Sequence, residues 1–287
     1  MRIVLPAGMG DIYWVCQKLA TTGEKYDFEV VHERGRQILN LLPHLVRSVK
    51  VSKHTNGDVL SKNEAKTTTR FARVKDKGSY TNFLSCNEWV DSGGRLEDWL
   101  PDLDTDWELA KSFEYNKPNV DNKLSTLQNI GIYTSCVSNV CKFNPPLWLH
   151  KQWFDLIKKI NDGKESNFIL IGAEYDRDLL FRLADLLDRD GIRFTMCIDP
   201  IPSVLECFKH MDYFIGRASG IGILADAMDV PSIMLYPWHE TKLMNAWCKP
   251  RPKQIYQGML FDSPRHIFKK IPKEIVSLEG NNFIDLS

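Results

Sequence analysis

The sequence predicts an α/β protein of two halves, each a set of parallel strand–helix units. Strand-like and helix-like stretches alternate along the chain, which is the pattern of parallel α/β units. The length, 287 residues, is that of roughly two domains. In both halves a strand runs into a glycine-rich turn that opens a helix: Gly8-Met9-Gly10-Asp11 near the start, and Ser219-Gly220-Ile221-Gly222 in the second half.

The elements follow in order. Residues 2–5 (RIVL) read as a short buried strand, then a glycine turn and a helix from Asp11 to Leu19. Residues 28–32 (FEVVH) read as a second strand, 34–42 as a helix ended near Pro43, and 47–51 as a third strand. The stretch 52–80 is polar, Lys/Thr-rich and weakly periodic, so it reads as a long loop of the kind that is usually functional or mobile. Residues 81–85 (TNFLS) look like a further strand, and 91–121, rich in Asp, Glu, Trp and Pro, like loops and short helices.

The second half begins near Leu127 with a strand at 129–135. A helix over 150–161 places Trp153, Phe154, Ile157 and Ile160 on one face. Strands at 167–171, 192–198, 212–216 and 231–236 alternate with helices at 176–187, 202–209 and from the glycine turn to Met228. The expected layout is a Rossmann-like N-terminal domain over 1–125, a Rossmann-like C-terminal domain over 126–262, and a helical tail over 263–287 packing back on the N-terminal domain. Ligands bind such sheets at the carboxyl ends of the strands, so the cleft between the halves is the expected site.

Composition narrows the function. Hydrophobic residues make up 43% and charged residues 26%, which excludes a disordered or collagen-like chain. With 37 basic and 37 acidic residues, any polyanion must meet a local basic patch rather than bulk charge. No run of about 18 apolar residues is present to span a membrane. The opening MRIVLPAGMGD reads as a strand rather than a signal peptide. Seven cysteines without a C-x-x-C pair read as reduced thiols, and scattered histidines give no zinc spacing. A cytoplasmic location is expected.

Two turns carry chemistry. At Gly8, Met9 and Gly10 the backbone is open to a bound group, but Tyr13 stands where the dinucleotide fingerprint needs its third glycine, which disfavours NAD. Asp11 stands at the mouth of the expected cleft, either as a proton acceptor or as a helix cap. In the second turn, backbone N–H groups at Ser219, Gly220, Ile221 and Gly222 point out of a helix N-terminus. That suits a diphosphate, with Arg217 adding a bidentate charge; a tight turn needing small residues is the alternative. Glu174 and Asp176 read as caps of the helix after the 167–171 strand. Asp102-Leu-Asp104 and Asp104-Thr-Asp106 spell the D-x-D of metal-dependent transferases, but no strand precedes them and they read as a solvated acidic loop.

Segments 7–19, 167–187 and 212–237 resemble the ADP-heptose:lipopolysaccharide heptosyltransferases (glycosyltransferase family 9). The matching residues are Gly10-Asp11, Ser219-Gly220, and Trp148 and Trp153 in PLWLHKQW. The family's acidic residue before Ser-Gly is Ala218 here, its loop histidine is Ile223, and its lysine before the first tryptophan is Pro146. Lys142 or Arg217 is left to supply that charge. The resemblance implies the GT-B fold and transfer of a sugar from a nucleoside diphosphate sugar, with no metal or other cofactor. Asp11 would be the base. Arg217, Lys142 and residues 219–222 would hold the diphosphate. Asp199, Pro200, Ile201 and Glu240 would hold the nucleoside.

Basic residues concentrate in 47–77 and 249–273, against acids in 88–121. Such a face suits a polyanion. The first acceptor expected is therefore a hydroxylated base in DNA, as for a viral DNA-modifying relative of that family. A flipped base would be held near Tyr13 and Trp14. The alternatives are a lipopolysaccharide-core saccharide acceptor, a non-catalytic nucleotide-sugar or glycan-binding protein, and a nucleotide-sugar epimerase.

Overall fold

The computed structural model describes residues 2–5, 9–30, 32–51, 73–76, 79–82, 102–114, 127–134, 148–173, 176–198, 200–217, 219–236, 254–259 and 263–276. At residues 2, 4, 11, 73–76, 79–82, 236, 254–259 and 274 it describes the backbone alone.

The N-terminal half is a five-stranded sheet of order β3-β2-β1-β4-β5. Its strands are β1 (Arg2–Val4), β2 (Tyr26–Val30), β3 (Val46–Val51), β4 (Arg73–Asp76) and β5 (Ser79–Asn82). β1, β2 and β3 run parallel, joined by helices α1 (Met9–Leu19) and α2 (Glu33–Asn40). β4 and β5 form an antiparallel hairpin, with β4 set beside β1. Part of the expected 52–80 loop is therefore strand.

The C-terminal half is six strands, all parallel, of order β11-β10-β9-β6-β7-β8. They are β6 (Gln128–Tyr133), β7 (Ser166–Gly172), β8 (Phe194–Ile198), β9 (Tyr213–Arg217), β10 (Ser232–Tyr236) and β11 (Gln254–Met259). The chain starts in the middle at β6, adds β7 and β8 on one side, then crosses back to add β9, β10 and β11. This is the dinucleotide-fold order, and its direction reverses between β6 and β9.

Helices α3 (His150–Gly163) and α4 (Arg177–Arg189) cover one face of this sheet; α5 (Ile201–Phe208) and α6 (Gly220–Ala227) belong to the other half of the crossover. On α3 the buried stripe is Trp153, Leu156, Ile157 and Ile160, at the spacing of one helical face. Phe154 was expected in that stripe; it lies at the margin, half-buried, with the Lys158 ammonium over its ring.

The tail forms two short helices, α7 (Pro264–Phe268) and α8 (Lys273–Val276). Ile267, Ile271, Ile275 and Val276 pack with the α3 and α4 residues of the C-terminal half. The expected return to the N-terminal domain is thus not what the described tail does. Its apolar residues complete the outer layer of the second sheet. Residues 277–287 lie outside the described set.

The two halves meet through helices, α1 against α6 and α2 against α5. A single hydrophobic cluster runs from Ile3, Tyr13 and Phe28 of the first half to Leu205, Phe208 and Leu224 of the second. A polar contact also joins the halves: the Ile201 N–H, first in α5, donates to Gln37 Oε1 of α2 at 3.2 Å.

The acidic loop 102–108 is tied to the end of α1. Buried Lys18 donates to the Leu103 carbonyl at 2.9 Å, and the Asp106 N–H to the Gln17 carbonyl at 2.9 Å. The Asp106 carboxylate accepts the Glu108 N–H at 3.0 Å, and partial burial pushes its pKa up against the pull of His44. The contacts that tie the loop to α1 use the loop's backbone. Lys18→Ala removes a buried stem and its hydrogen bond, a cost of about 2–4 kcal/mol. A fall of several degrees in the melting temperature is expected, and calorimetry checks it.

Candidate active site

In an open α/β sheet the ligand crevice lies outside the carboxyl ends of the strands, where the strand order reverses. Here that point lies between β6 and β9. Tyr133 at the end of β6 stands opposite Gly216, so the next residues at this edge are Thr134 and Arg217. Arg217, paired with Leu235 on its other side, is 3% exposed.

Thr134 is 1% exposed, and its Oγ1 has no hydrogen-bond partner among the described residues. A buried hydroxyl left without a partner costs stability, and in a native fold it calls for an explanation. The sequence alone does not single out Thr134, because one threonine after a strand carries no pattern. The strand order alone brings it beside Arg217.

α6 begins immediately beyond β9. Ser219 has extended backbone and caps the helix: its Oγ accepts the Gly222 N–H at 3.3 Å, and its carbonyl accepts the Ile223 N–H at 3.0 Å. The first N–H groups of a helix have no carbonyl within it, which leaves those of Gly220 and Ile221 at this terminus.

The N–H groups of this terminus are expected to point out toward a diphosphate; here the terminus is covered rather than open to solvent. Ser219, Ile221 and Gly222 are buried, and only Gly220 keeps partial exposure. The cover is the start of α1. A Cβ built on Gly220 would lie 2.9 Å from Gly10 N and 3.0 Å from Met9 Cβ, and one on Gly10 would lie 2.2 Å from Ile223 Cδ1. Two glycines thus let the helix starts touch. Ile223 fills the space above Gly10.

Asp11 is the third residue of α1. Its backbone therefore stands one position beyond the Gly10–Gly220 contact; its side chain lies outside the description. Gly8, Lys142, Asp199 and Glu240 are also outside the described residues, as are Ala218, Pro146 and Glu174.

Other expected residues stand elsewhere. Tyr13 and Trp14 are 1% and 3% exposed, and Tyr13 meets Phe113 edge-on at 5.8 Å. They are core residues of the first half, since α1 is buried on nearly all sides, and neither ring is presented to an acceptor. Ile201 is likewise buried, with its N–H given to Gln37. Pro200 is exposed. The Asp176 carboxylate accepts the Ala173 N–H at 2.9 Å, which closes the turn before α4 rather than capping the helix. Trp148 and Trp153 pack edge-on within the core at 5.1 Å.

A groove of about 890 Å³ opens between the halves at the far end of α6, lined by residues including Gln37, Phe113, Pro202, Lys209 and Met228. The length of α6 sets it about 10 Å from Gly220, away from Thr134 and Arg217. Among the described residues, no three His, Cys, Asp or Glu side chains cluster as metal ligands, and no helix is long and apolar enough to cross a membrane.

No family model and no curated protein matches the chain by sequence. Solved structures do match it in fold. Escherichia coli heptosyltransferase WaaC, solved with ADP, is similar with a TM-score of 0.59 at 15% identity, over 96% of this chain and all of that one. E. coli ADP-heptose LPS heptosyltransferase II gives 0.54 at 14% identity, over 95% and 97%. A glycosyl transferase family 9 protein of Veillonella parvula gives 0.53 at 11% identity, over 96% and 91%. The chain has the GT-B fold. In GT-B terms, β6, β9 and the start of α6 belong to the C-terminal half, and α1 brings the opposing half against them.

Proposed function

We propose that the chain is a glycosyltransferase that moves a sugar from a nucleoside diphosphate of the ADP-heptose type to a hydroxyl of a lipopolysaccharide-core-type saccharide. The observation that carries this reading is likeness over nearly the full length to heptosyltransferases. One of them was solved with ADP and with ADP-2-deoxy-2-fluoro heptose. The switch point, with its buried arginine and a buried hydroxyl without a partner among the described residues, supports a diphosphate at the same edge.

In the proposed step Asp11 takes the proton of the acceptor hydroxyl. The freed oxygen forms the new bond to the anomeric carbon as the bond to the diphosphate breaks. The charge that builds on the leaving phosphate is met by Arg217, the Thr134 hydroxyl and the amides at the start of α6. These groups supply the positive charge that a metal supplies in D-x-D enzymes. Because α1 covers Gly220, the donor enters as the two halves part, and their return brings residue 11 to the sugar.

A lipopolysaccharide-core saccharide replaces the DNA base as the proposed acceptor. E. coli heptosyltransferase II is a lipopolysaccharide enzyme by name, and nothing in the comparisons favours DNA. In segment 47–77, Arg47 is engaged by Asp27 at 3.5 Å and by the Lys25 carbonyl at 2.9 Å. Residues 52–72 and 249–253 lie outside the description.

The test is a transfer assay with ADP-heptose and a heptose-free lipopolysaccharide core. Release of ADP with a sugar added to the core is expected. Transfer to hydroxymethylated DNA instead would restore the DNA reading, an altered sugar formed from donor alone an epimerase, and binding without turnover a carrier role. Within the site, Thr134→Val should weaken ADP binding about threefold to tenfold, the loss of one hydrogen bond to a charged group. Unchanged affinity by titration calorimetry would remove Thr134 from the site.

A further inference from the structure

Cys197 is the buried residue of β8, one position before its end, and Cys207 lies in the last turn of α5. The Cys207 thiol donates to the Cys197 sulfur at 3.2 Å. A disulfide needs the sulfurs only about 1.2 Å closer, within reach of small side-chain rotations. The two thiols differ in access: Cys197 is buried, whereas Cys207 is partly exposed. They also differ in reactivity. Once Cys207 is ionised, the Cys197 S–H donates to its thiolate, and this contact holds the Cys207 thiol below its ordinary pKa, against burial and Glu206. Cys16, by contrast, is enclosed, and burial pushes its pKa far up.

We propose that Cys197 and Cys207 are a reversible redox pair, closed by a low-molecular-weight disulfide such as glutathione disulfide, which locks α5 to the end of β8. The Cys207 thiolate attacks one sulfur of the oxidant, and a glutathione thiolate leaves. Cys197 then gives up its proton, and its sulfur displaces the second glutathione from Cys207. Two protein thiols become one disulfide, and the oxidant becomes two glutathione thiols.

The lock acts where the halves meet. α5 packs on α2 and takes Gln37 at its first N–H. It also begins at Pro200–Ile201, so an effect on donor binding rests on the proposed function; the lock itself does not.

The sequence offers a clean readout. No Lys or Arg lies between Arg193 and Lys209, so trypsin releases both cysteines in the single peptide 194–209. The full chain is treated with glutathione disulfide, alkylated with N-ethylmaleimide and digested without reductant. The peptide should lose two hydrogens and take up no label, and dithiothreitol should reverse this. In Cys197→Ser the peptide should instead keep a glutathione on Cys207, and in Cys207→Ser it should carry none. Oxidation should raise the melting temperature of the wild-type chain by a few degrees and leave that of Cys207→Ser unchanged. A wild-type peptide that takes up two labels after oxidation, or serine variants that trap glutathione equally, would overturn the pair. A disulfide that forms with no shift in melting temperature would overturn the lock. All of these results stand whether or not the chain binds a nucleotide sugar.

Discussion

Asp11→Asn is expected to lower the rate of sugar transfer about 10²- to 10⁴-fold, the range for losing a positioned general base, while ADP binding is unchanged. Asparagine keeps the shape of the side chain but takes up no proton at neutral pH. The expectation comes from placement: Asp11 is the third residue of α1, one position beyond Gly10, which touches Gly220 at the start of the proposed diphosphate seat. The base and the donor therefore come from different halves, and removing the carboxylate leaves the donor's contacts intact. Steady-state transfer measured alongside ADP titration separates the two. Wild-type turnover in the variant would remove Asp11 from the reaction, and a parallel loss of ADP affinity would make it a donor-binding group.

The second large effect is expected from Gly220→Val. Even one added carbon meets backbone at 2.9 Å, at Gly10 N, and backbone has no rotamer with which to yield. Valine adds two methyl groups, so α1 and α6 must separate. Misplacing reacting groups by about 1 Å costs about 10²-fold in rate, and a loss of transfer of at least that size is expected. Arg217 and Thr134 belong to the strands behind α6, so ADP affinity should fall much less. The helix contact also sits on the hydrophobic cluster common to both halves, so the melting temperature should drop by several degrees. Wild-type transfer in Gly220→Val would mean that the Gly10–Gly220 contact has no part in the reaction.

The parallel strands were legible because strands buried on both faces read as near-continuous apolar runs. FILIG in β7, YFIG in β9 and SIML in β10 are such runs. β4 (RVKD) and β5 (SYTN) have no such run; they are strands because β1 offers a free edge, which is tertiary information. β11 (QIYQGM) was missed for the same reason, since it adds to the edge left by β10.

Gly10 and the 219–222 turn were legible in the candidate site, because close backbone approach needs glycine. That the close approach is to the other half, and not only to a ligand, was not legible. Tyr13 and Trp14 misled because aromatic residues beside a glycine turn look the same whether they face a cleft or a core. The neighbouring Phe113 comes from a segment a hundred residues away.

Central to the proposed function is a diphosphate held where the second sheet reverses its order. Calorimetric titration of ADP into the wild-type chain and into Arg217→Ala tests this most directly. Saturable binding to the wild type, weakened about tenfold to a hundredfold in the variant, is the predicted result for a charge-assisted contact. Wild-type affinity in Arg217→Ala, or no binding of ADP to either chain, would contradict it.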